Sequence, residues 1–501
     1  MDAILHGLLT VFIPTNFLFL FLGVFMGIVF GSLPGLTATM GLALLVPFTF
    51  TMSPAAGLIM LAGIYVGAMY GDAIPAVLIN TPGTPAAIAT TFDGFPLTQK
   101  GMAQHGLVAA AFASSCGSLV ANGVLITAAP PLAAFSLKFG PPEYFWLGVF
   151  GLTIIASLSS GSMVKGFLAG TVGLILSAVG MAPIGGDVRL TFGFPELQAG
   201  IELIVALIGF FCLPEILSSV IGKRRAAYSD KPVTPKLAVI GEVIVSLIKK
   251  PVLMLRSSAI GTIIGFAPGA GGNIASMVSY NEAVRWDPNP EEYGKGTIKG
   301  VAASEAANSA MAPGSLIPLL TLGIPGSPPA AVILGALMLH GMRPGVELFT
   351  SYAEVTYAFI MALLVAAFLV TFIGSFGSYV FAQIINIPSR FLAPGIIFMT
   401  VLGSFAIRNN ILDVWIMFVF GIVGFISNKL KFHPAPIVLG LILGPFVEEG
   451  LVKSMLAGQA SGSIISYMVL RPISMVLIAM SLLSVFWPFY ADWKAKRKKS
   501  Q

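Results

Sequence analysis

The sequence predicts an all-α polytopic membrane protein made of two inverted-topology repeats, each with broken helices and a re-entrant hairpin. Three observations predict it. The 501 residues are 56% hydrophobic and 10% charged, against a charged fraction of roughly 25% in soluble domains. Two cassettes of Pro, Gly and hydroxyl residues occur in the same order in the two halves. The loops flanking them differ in charge, as opposite insertion requires under the positive-inside rule.

Taken in order, the N-terminus MDAILHGLLTVF lacks a basic segment and a small-residue cleavage site, so its helix is expected to stay as an anchor. Apolar runs then continue from Asn16 to Pro488, enough for roughly 10 to 13 spans of about 20 residues each. The first run breaks at residues 31–41, GSLPGLTATMG, where Pro34 and Gly35 interrupt the helix. In the next span Gly57, Gly63 and Gly67 supply small faces for close contact. Residues 74–87, IPAVLINTPGTPAA, form the first cassette, and Pro75, Pro82 and Pro85 cannot all sit in one straight helix. A hairpin is expected there. Apolar runs separated by Pro130-Pro131, Pro141-Pro142 and a bend at 180–189 lead to a span stopped by Lys223, Arg224 and Arg225.

The polar stretch that follows divides the chain. The expected organisation is a first repeat at 1–222, a cytoplasmic linker at 223–236, a second repeat at 237–490 and a basic cytoplasmic tail at 491–501. In the second half, AIGTIIGFAPGAGGN repeats the first break: Gly27, Gly31, Pro34 and Gly35 match Gly261, Gly265, Pro268 and Gly269, 234 residues on (268 minus 34). The second cassette, IPLLTLGIPGSPPA at 317–330, lies 243 residues after the first (317 minus 74), with Ser327 opposite Thr84. Two ordered landmarks favour duplication over ordinary kinks. The loop RWDPNPEEYGKGTIK at 285–299 is charged, whereas its counterpart at 49–54 is not. That asymmetry favours inversion.

Broken helices at matching positions of inverted repeats point to a binding site at the bilayer midplane, with free backbone amides for anions and unwound carbonyls for cations. The residues expected to bind substrate are Pro34, Gly35, Thr37 and Thr39 in the first break, and Asn80, Thr81, Pro82, Gly83 and Thr84 in the first cassette. The second half supplies Gly269, Gly271, Gly272 and Asn273, and Gly323, Pro325, Gly326 and Ser327. Gly83 and Gly326 are read as turn formers, Pro82 and Pro325 as helix ends, and Pro85 and Pro328 as helix starts. A Na+ ion is expected near Asp72, Asn80, Asn273 and Gly323. Asp72 itself reads equally as a cation ligand, a hairpin partner or a residue at the water boundary. Glu305 and Asn308 share one helix face, as a cap or surface contact or as ligands.

Other classes fit less well. The formal charge of +6 comes from 27 Lys plus Arg against 21 Asp plus Glu, and its clustering in loops indicates topology rather than nucleic-acid binding. The tail KAKRKK at 494–499 reads as an orientation anchor. Cys116 and Cys212 lie in apolar runs and read as buried thiols. Asp187 and Arg189 are close enough to pair, while Arg256, Arg390 and Arg408 fall at helix ends as snorkelling anchors. The glycine-rich stretch at 267–273 lacks the Lys-Ser/Thr ending of a nucleotide loop. An intramembrane aspartyl protease using Asp72 and Asp187 lacks the Gly-x-Gly-Asp spacing and leaves the cassettes unexplained. A passive channel is the alternative mode of transport.

The stretches GSLPGLTATMG, YGDAIPAVLINTPGTPAAIATTFDGFPLTQKG, GFAPGAGGNIASMVSYNEA and EAANSAMAPGSLIPLLTLGIPGSPPAAVILGALMLHGMRPG resemble the large membrane subunit of the bacterial tripartite tricarboxylate transporters. The resemblance covers nearly the whole chain. It implies a non-enzymatic secondary active importer of di- or tricarboxylates in the bacterial inner membrane, driven by a cation gradient. It also implies two partners, a small membrane subunit and a periplasmic substrate-binding protein, and by analogy an elevator architecture. Asp72 stands where the resemblance leads one to expect a small polar residue.

Overall fold

Prolines and hydroxyl residues set most helix starts in this chain. The structure, a computed structural model, describes residues 2–33, 35–158, 163–221, 236–267, 269, 271–384, 389–430 and 432–499. Pro34, Pro268 and nearly all of the expected 223–236 linker lie outside the described residues. In the first half the helices are α1 (Asp2–Val11), α2 (Pro14–Ser32), α3 (Ala38–Thr49), α4 (Pro54–Gly71), α5 (Ala73–Ile79), α6 (Ile88–Gln99), α7 (Ala103–Ser136), α8 (Pro141–Leu158), α9 (Met163–Ser177), α10 (Leu203–Leu207) and α11 (Leu213–Ile221). Pro14 and Pro54 occupy first-turn positions, where a missing N–H costs nothing. Thr37 and Ser53 cap α3 and α4 by accepting from the amides of Met40 and Ala56.

The second half contains α12 (Leu237–Ile248), α13 (Pro251–Phe266), α14 (Gly271–Trp286), α15 (Ile298–Leu322), α16 (Pro328–Leu339), α17 (Val346–Phe349), α18 (Ala353–Ile384), α19 (Ser389–Arg408), α20 (Ile411–Lys429), α21 (Pro434–Ala460), α22 (Ile464–Val469) and α23 (Pro472–Lys499). An antiparallel ribbon, β1 (Gly180–Met181) with β2 (Val188–Arg189), makes the bend expected at 180–189. One boundary differs from expectation. Helix α7 runs through Pro130-Pro131, because a proline removes one hydrogen bond and kinks a helix without having to end it.

Among the described residues, six helical segments are long and apolar enough to cross a membrane: Pro14–Ser32, Pro54–Ile79, Ala103–Ser136, Ala353–Gly377, Ile411–Lys429 and Pro434–Ala460. Nine further apolar helices of 10–17 residues accompany them among the described residues. The architecture is that of an all-α multi-pass membrane protein.

Two compact units result. One comprises Met1–Ala133 with Glu215–Ile407, and the other Ala134–Pro214 with Arg408–Gln501. Each therefore takes residues from both sides of the 223–236 stretch. In the first unit, α2 and α4 meet backbone to backbone: a Cβ at Gly27 would lie 2.9 Å from the Ala68 nitrogen, and one at Gly71 2.6 Å from the Ile28 carbonyl. Small residues allow this approach where lipid gives no hydrophobic push between helices. The second half repeats the arrangement, with Gly261 and Gly265 of α13 against the Ala307 and Met311 carbonyls of α15.

The second unit is tied by ion pairs that correct two sequence expectations. Arg189 pairs with Glu448 at 2.8 Å rather than with Asp187, whose charge acts on it only from longer range. Arg408 does not snorkel: it binds Asp413 at 2.6 Å and the Gly200 carbonyl, since Asp413 is itself buried and demands a partner. Buried Glu143 accepts from Arg471 at 2.7 Å, from the Gly140 amide at 2.8 Å and from Ser474 at 3.0 Å. Among the described residues neither Cys116 nor Cys212 forms a disulfide.

Candidate functional site

The first cassette folds into a helical hairpin within the first unit. Helix α5 ends where Asn80 turns left-handed (φ 53°), a conformation Asn tolerates better than most residues. The Thr81 amide then bonds back to the Pro75 carbonyl at 3.3 Å, and the Gly83 amide to the Asp72 carbonyl at 3.2 Å. Thr84 closes the tip twice over, donating to Asp72 Oδ2 at 2.5 Å and accepting from the Ala86 amide. Pro85 starts the returning 3-10 turn that leads into α6, which is fastened to α5 by Thr98 donating to the Val77 carbonyl at 2.7 Å.

The second cassette makes the same tip 243 residues later. Gly323 is left-handed (φ 74°) at the end of α15, the Ile324 amide reaches the Pro318 carbonyl at 3.3 Å, and the Gly326 amide reaches the Ser315 carbonyl at 3.3 Å. Ser327 bonds Ser315 Oγ at 3.1 Å and caps α16 through the Ala330 amide. The glycines at 83 and 326 serve a purpose other than the expected one. Neither has a positive φ; a Cβ at Gly83 would lie 2.5 Å from the Gly31 carbonyl oxygen and 2.7 Å from Asp72 Cα, and one at Gly326 2.8 Å from Ser315 Cα. They are glycine because backbone passes against them.

Position 72 corresponds to 315 (315 minus 72 is 243), so a carboxylate in the first tip stands where the second has a hydroxyl. Each is held by a residue of the other half. Tyr65 of α4 bonds both Ser315 and Ser327 at 3.0 Å. Asn308 of α15, the residue 243 positions after Tyr65, donates through Nδ2 to Asp72 at 3.3 Å and to the Met69 carbonyl at 3.1 Å. Asp72 is 1% exposed and Asn308 and Glu305 are 0% exposed, so Asp72 is not at a water boundary, and Glu305 and Asn308 form no cap. Glu305 accepts from Thr90 of α6 and, at 3.3 Å, from Ser114 of α7.

A profile of the tripartite tricarboxylate transporter TctA family matches residues 17–439. The chain belongs to this family. It is accordingly a multi-pass membrane transport protein of the tricarboxylate class that works in a tripartite system, and not an enzyme. Two proteins from Agrobacterium vitis are similar to it. One, described as an uncharacterized 52.8 kDa protein in the TAR-I ttuC' 3' region, is 37% identical over 98% of this chain and 97% of its own length. The other, an uncharacterized protein in the TAR-II ttuC' 3' region, is 35% identical over 47% of this chain and 97% of its own length.

Within this TctA chain the remaining expected site residues divide. Thr37 is used as the α3 cap and Thr39 is buried. The Gly269 amide is engaged by the Gly326 carbonyl at 2.9 Å, which ties the second break to the second tip and removes that amide from any carboxylate cradle. Gly35 and Gly271 take positive φ, 97° and 67°. Gly272 lies against Ala86 and Asn308, while Asn80 and Asn273 are exposed and Thr81, Pro82 and Thr84 are partly so. Gly323, Pro325, Gly326 and Ser327 are buried. Tyr65 and Ser315 were not anticipated, although projecting Asn308 and Asp72 across the 243-residue spacing would have found both.

Beyond the first hairpin a polar latch holds α6. Asp93 accepts from the Gly296 and Thr297 amides at 2.8 and 3.0 Å and from the Tyr280 hydroxyl at 2.9 Å. Burial lifts the Asp93 carboxyl above its usual range, only partly offset by those donors. Lys299 pins the same loop by pairing with Glu292 at 2.8 Å and Asp287 at 3.0 Å.

Proposed function

We propose that this chain is the large membrane subunit of a binding-protein-dependent secondary active transporter that imports di- or tricarboxylates across the bacterial inner membrane. The observation that carries the reading is the pair of tips made alike at 243-residue spacing, each braced by the opposite half: Tyr65 to Ser315 and Ser327, Asn308 to Asp72. Reciprocal contacts between equivalent residues are what a two-fold axis produces. Together with the loop charge asymmetry they support inverted repeats, whose broken helices meet at a midplane substrate site. The carboxylate would lie against Asn80–Thr84 and Gly323–Ser327, with Asn273 at the rim. The two compact units support an elevator, in which the unit holding both tips moves.

Family membership supports the two partners, a small membrane subunit and a periplasmic binding protein that selects the carboxylate first. A coupling cation, Na+ in this reading, would be held by oxygens around Asp72 and would supply positive charge to a site whose tips contain no Arg or Lys. Proteoliposomes containing both membrane subunits and the binding protein test the proposal. Carboxylate accumulation should follow an imposed Na+ gradient and vanish with an ionophore. Uptake that ignores the gradient would make the protein a passive channel, and unaltered uptake in the triple variant N80A/T84A/S327A would remove the site assignment.

A further inference from the structure

Helix α12 is apolar, yet its 12 residues reach only about 18 Å, short of a hydrocarbon core of about 30 Å. Both of its ends are basic. Lys236 precedes it, closing the stretch KRRAAYSDKPVTPK at 223–236 in which five bases stand against one acid, and Lys249 and Lys250 follow it. A short apolar helix with lysines at either end lies along a membrane surface, and the positive-inside rule assigns that surface to the cytoplasm. Its start is tied to α7: Gln104 donates to the Lys236 carbonyl and accepts from the Lys236 amide, both at 3.0 Å. Wound at about 100° per residue, α12 has three sides. Ile240, Val243 and Leu247 are buried; Leu237, Gly241, Val245 and Ile248 make an exposed apolar side; Glu242, Ser246 and Lys249 make a polar one. An open hollow of about 600 Å³ lies where the apolar and polar sides meet, lined by Gly241, Glu242, Val245, Ser246, Lys249 and Lys250. Among the described residues neither lysine forms an ion pair, and no side chain caps the first turn of α13 beside them.

We propose that this hollow is a site for an anionic phospholipid of the cytoplasmic leaflet, its phosphate held by the Lys249 and Lys250 ammonium groups and its acyl chains laid against Leu237, Val245 and Ile248. The occupant follows from charge and shape together. Two unpaired cations call for an anion, and the exposed apolar side next to them calls for hydrocarbon, which a free phosphate or a soluble carboxylate lacks. Glu242, at the other end of the hollow, repels a phosphate and so fixes the headgroup at the lysine end. A lipid held here would keep α12 in the plane of the membrane and set the entry of α13, whose far end leads into the second break. The site rests on the chain being a membrane protein and not on the carboxylate reading.

Native mass spectrometry of the purified full-length chain, stripped of lipid in detergent and titrated with phosphatidylglycerol or with phosphatidylcholine of the same acyl chains, tests it. Phosphatidylglycerol should stay bound where phosphatidylcholine is lost. K249Q/K250Q should weaken that binding about tenfold or more, because each lysine near an anionic headgroup contributes. E242Q should tighten it, a gain that misfolding cannot imitate. G241L should weaken it with no change of charge: it fills the hollow at a position where a Cβ meets nothing within 4 Å. K453A, which alters a lysine paired elsewhere with Glu449, should bind as the parent does. Equal retention of the two lipids, or undiminished binding in K249Q/K250Q, would overturn the site. Undiminished binding in G241L would reduce it to a general attraction of surface charge, and displacement of the lipid by inorganic phosphate would make it a site for soluble anions; either result overturns the proposal.

Discussion

The two hairpin tips share a backbone and differ in charge. Both end a helix in a left-handed residue, both return through a glycine against neighbouring backbone, and both restart on a hydroxyl cap followed by proline. Yet the first encloses a carboxylate bound by an amide, while the second encloses three mutually bonded hydroxyls, Tyr65, Ser315 and Ser327. The first is also the more exposed at its apex. Two tips of the same backbone geometry can thus carry different chemistry.

The shared geometry should break most severely. G83V and G326V both push a side chain into backbone that cannot yield, and each should destabilise the chain by about 3 kcal/mol or more and reduce uptake to background. Thermal unfolding and proteoliposome uptake would measure this, and tolerance of only one substitution would show that the tips are not equivalent. The braces come next. N308A takes the amide from a buried carboxylate and should cost about 2–3 kcal/mol, whereas Y65F takes one hydroxyl from a neutral triad and should cost about 1–2 kcal/mol. Equal losses in denaturant titrations would mean that the charge difference carries no energy.

D72S makes the first tip a copy of the second. It should unfold close to the parent temperature while gradient-driven accumulation disappears, as followed by carboxylate uptake under an imposed Na+ gradient. The smallest effect lies at the latch. The folded carboxyl of Asp93 titrates above its unfolded value, so the folded state holds more protons there and the contribution of this group to stability falls as pH rises from the ordinary carboxylate range through the raised value. Hydrogen exchange of the 287–297 amides should quicken over that interval in the parent chain. D93N should remove the pH dependence.

Much of this was legible in the sequence because the cassettes are written in residues with narrow backbone roles. Pro85, Pro328, Thr84 and Ser327 at corresponding places predict helix starts, and the helices start there. What escaped was contact between distant residues. Tyr65 and Asn308 occupy equivalent positions but share no chemistry, so no identity marks them as a pair. The glycines at 83 and 326 looked like turn residues, since a sequence does not reveal which backbone will pass beside them. The two compact units were hidden for a related reason: each is assembled from two separate stretches, and no shift in composition marks where one gives way to the other.

The crossed braces also set an order of biogenesis. A ribosome that has released only the first half leaves Asp72 without Asn308, which lies 236 residues further along the chain, and Tyr65 without its two serines, 250 and 262 residues away. Neither tip can be completed until the nascent chain has been made through α15, and the second not before Ser327. A truncated or stalled product would therefore leave Asp72 and Tyr65 without the side chains that hold them in the full-length chain.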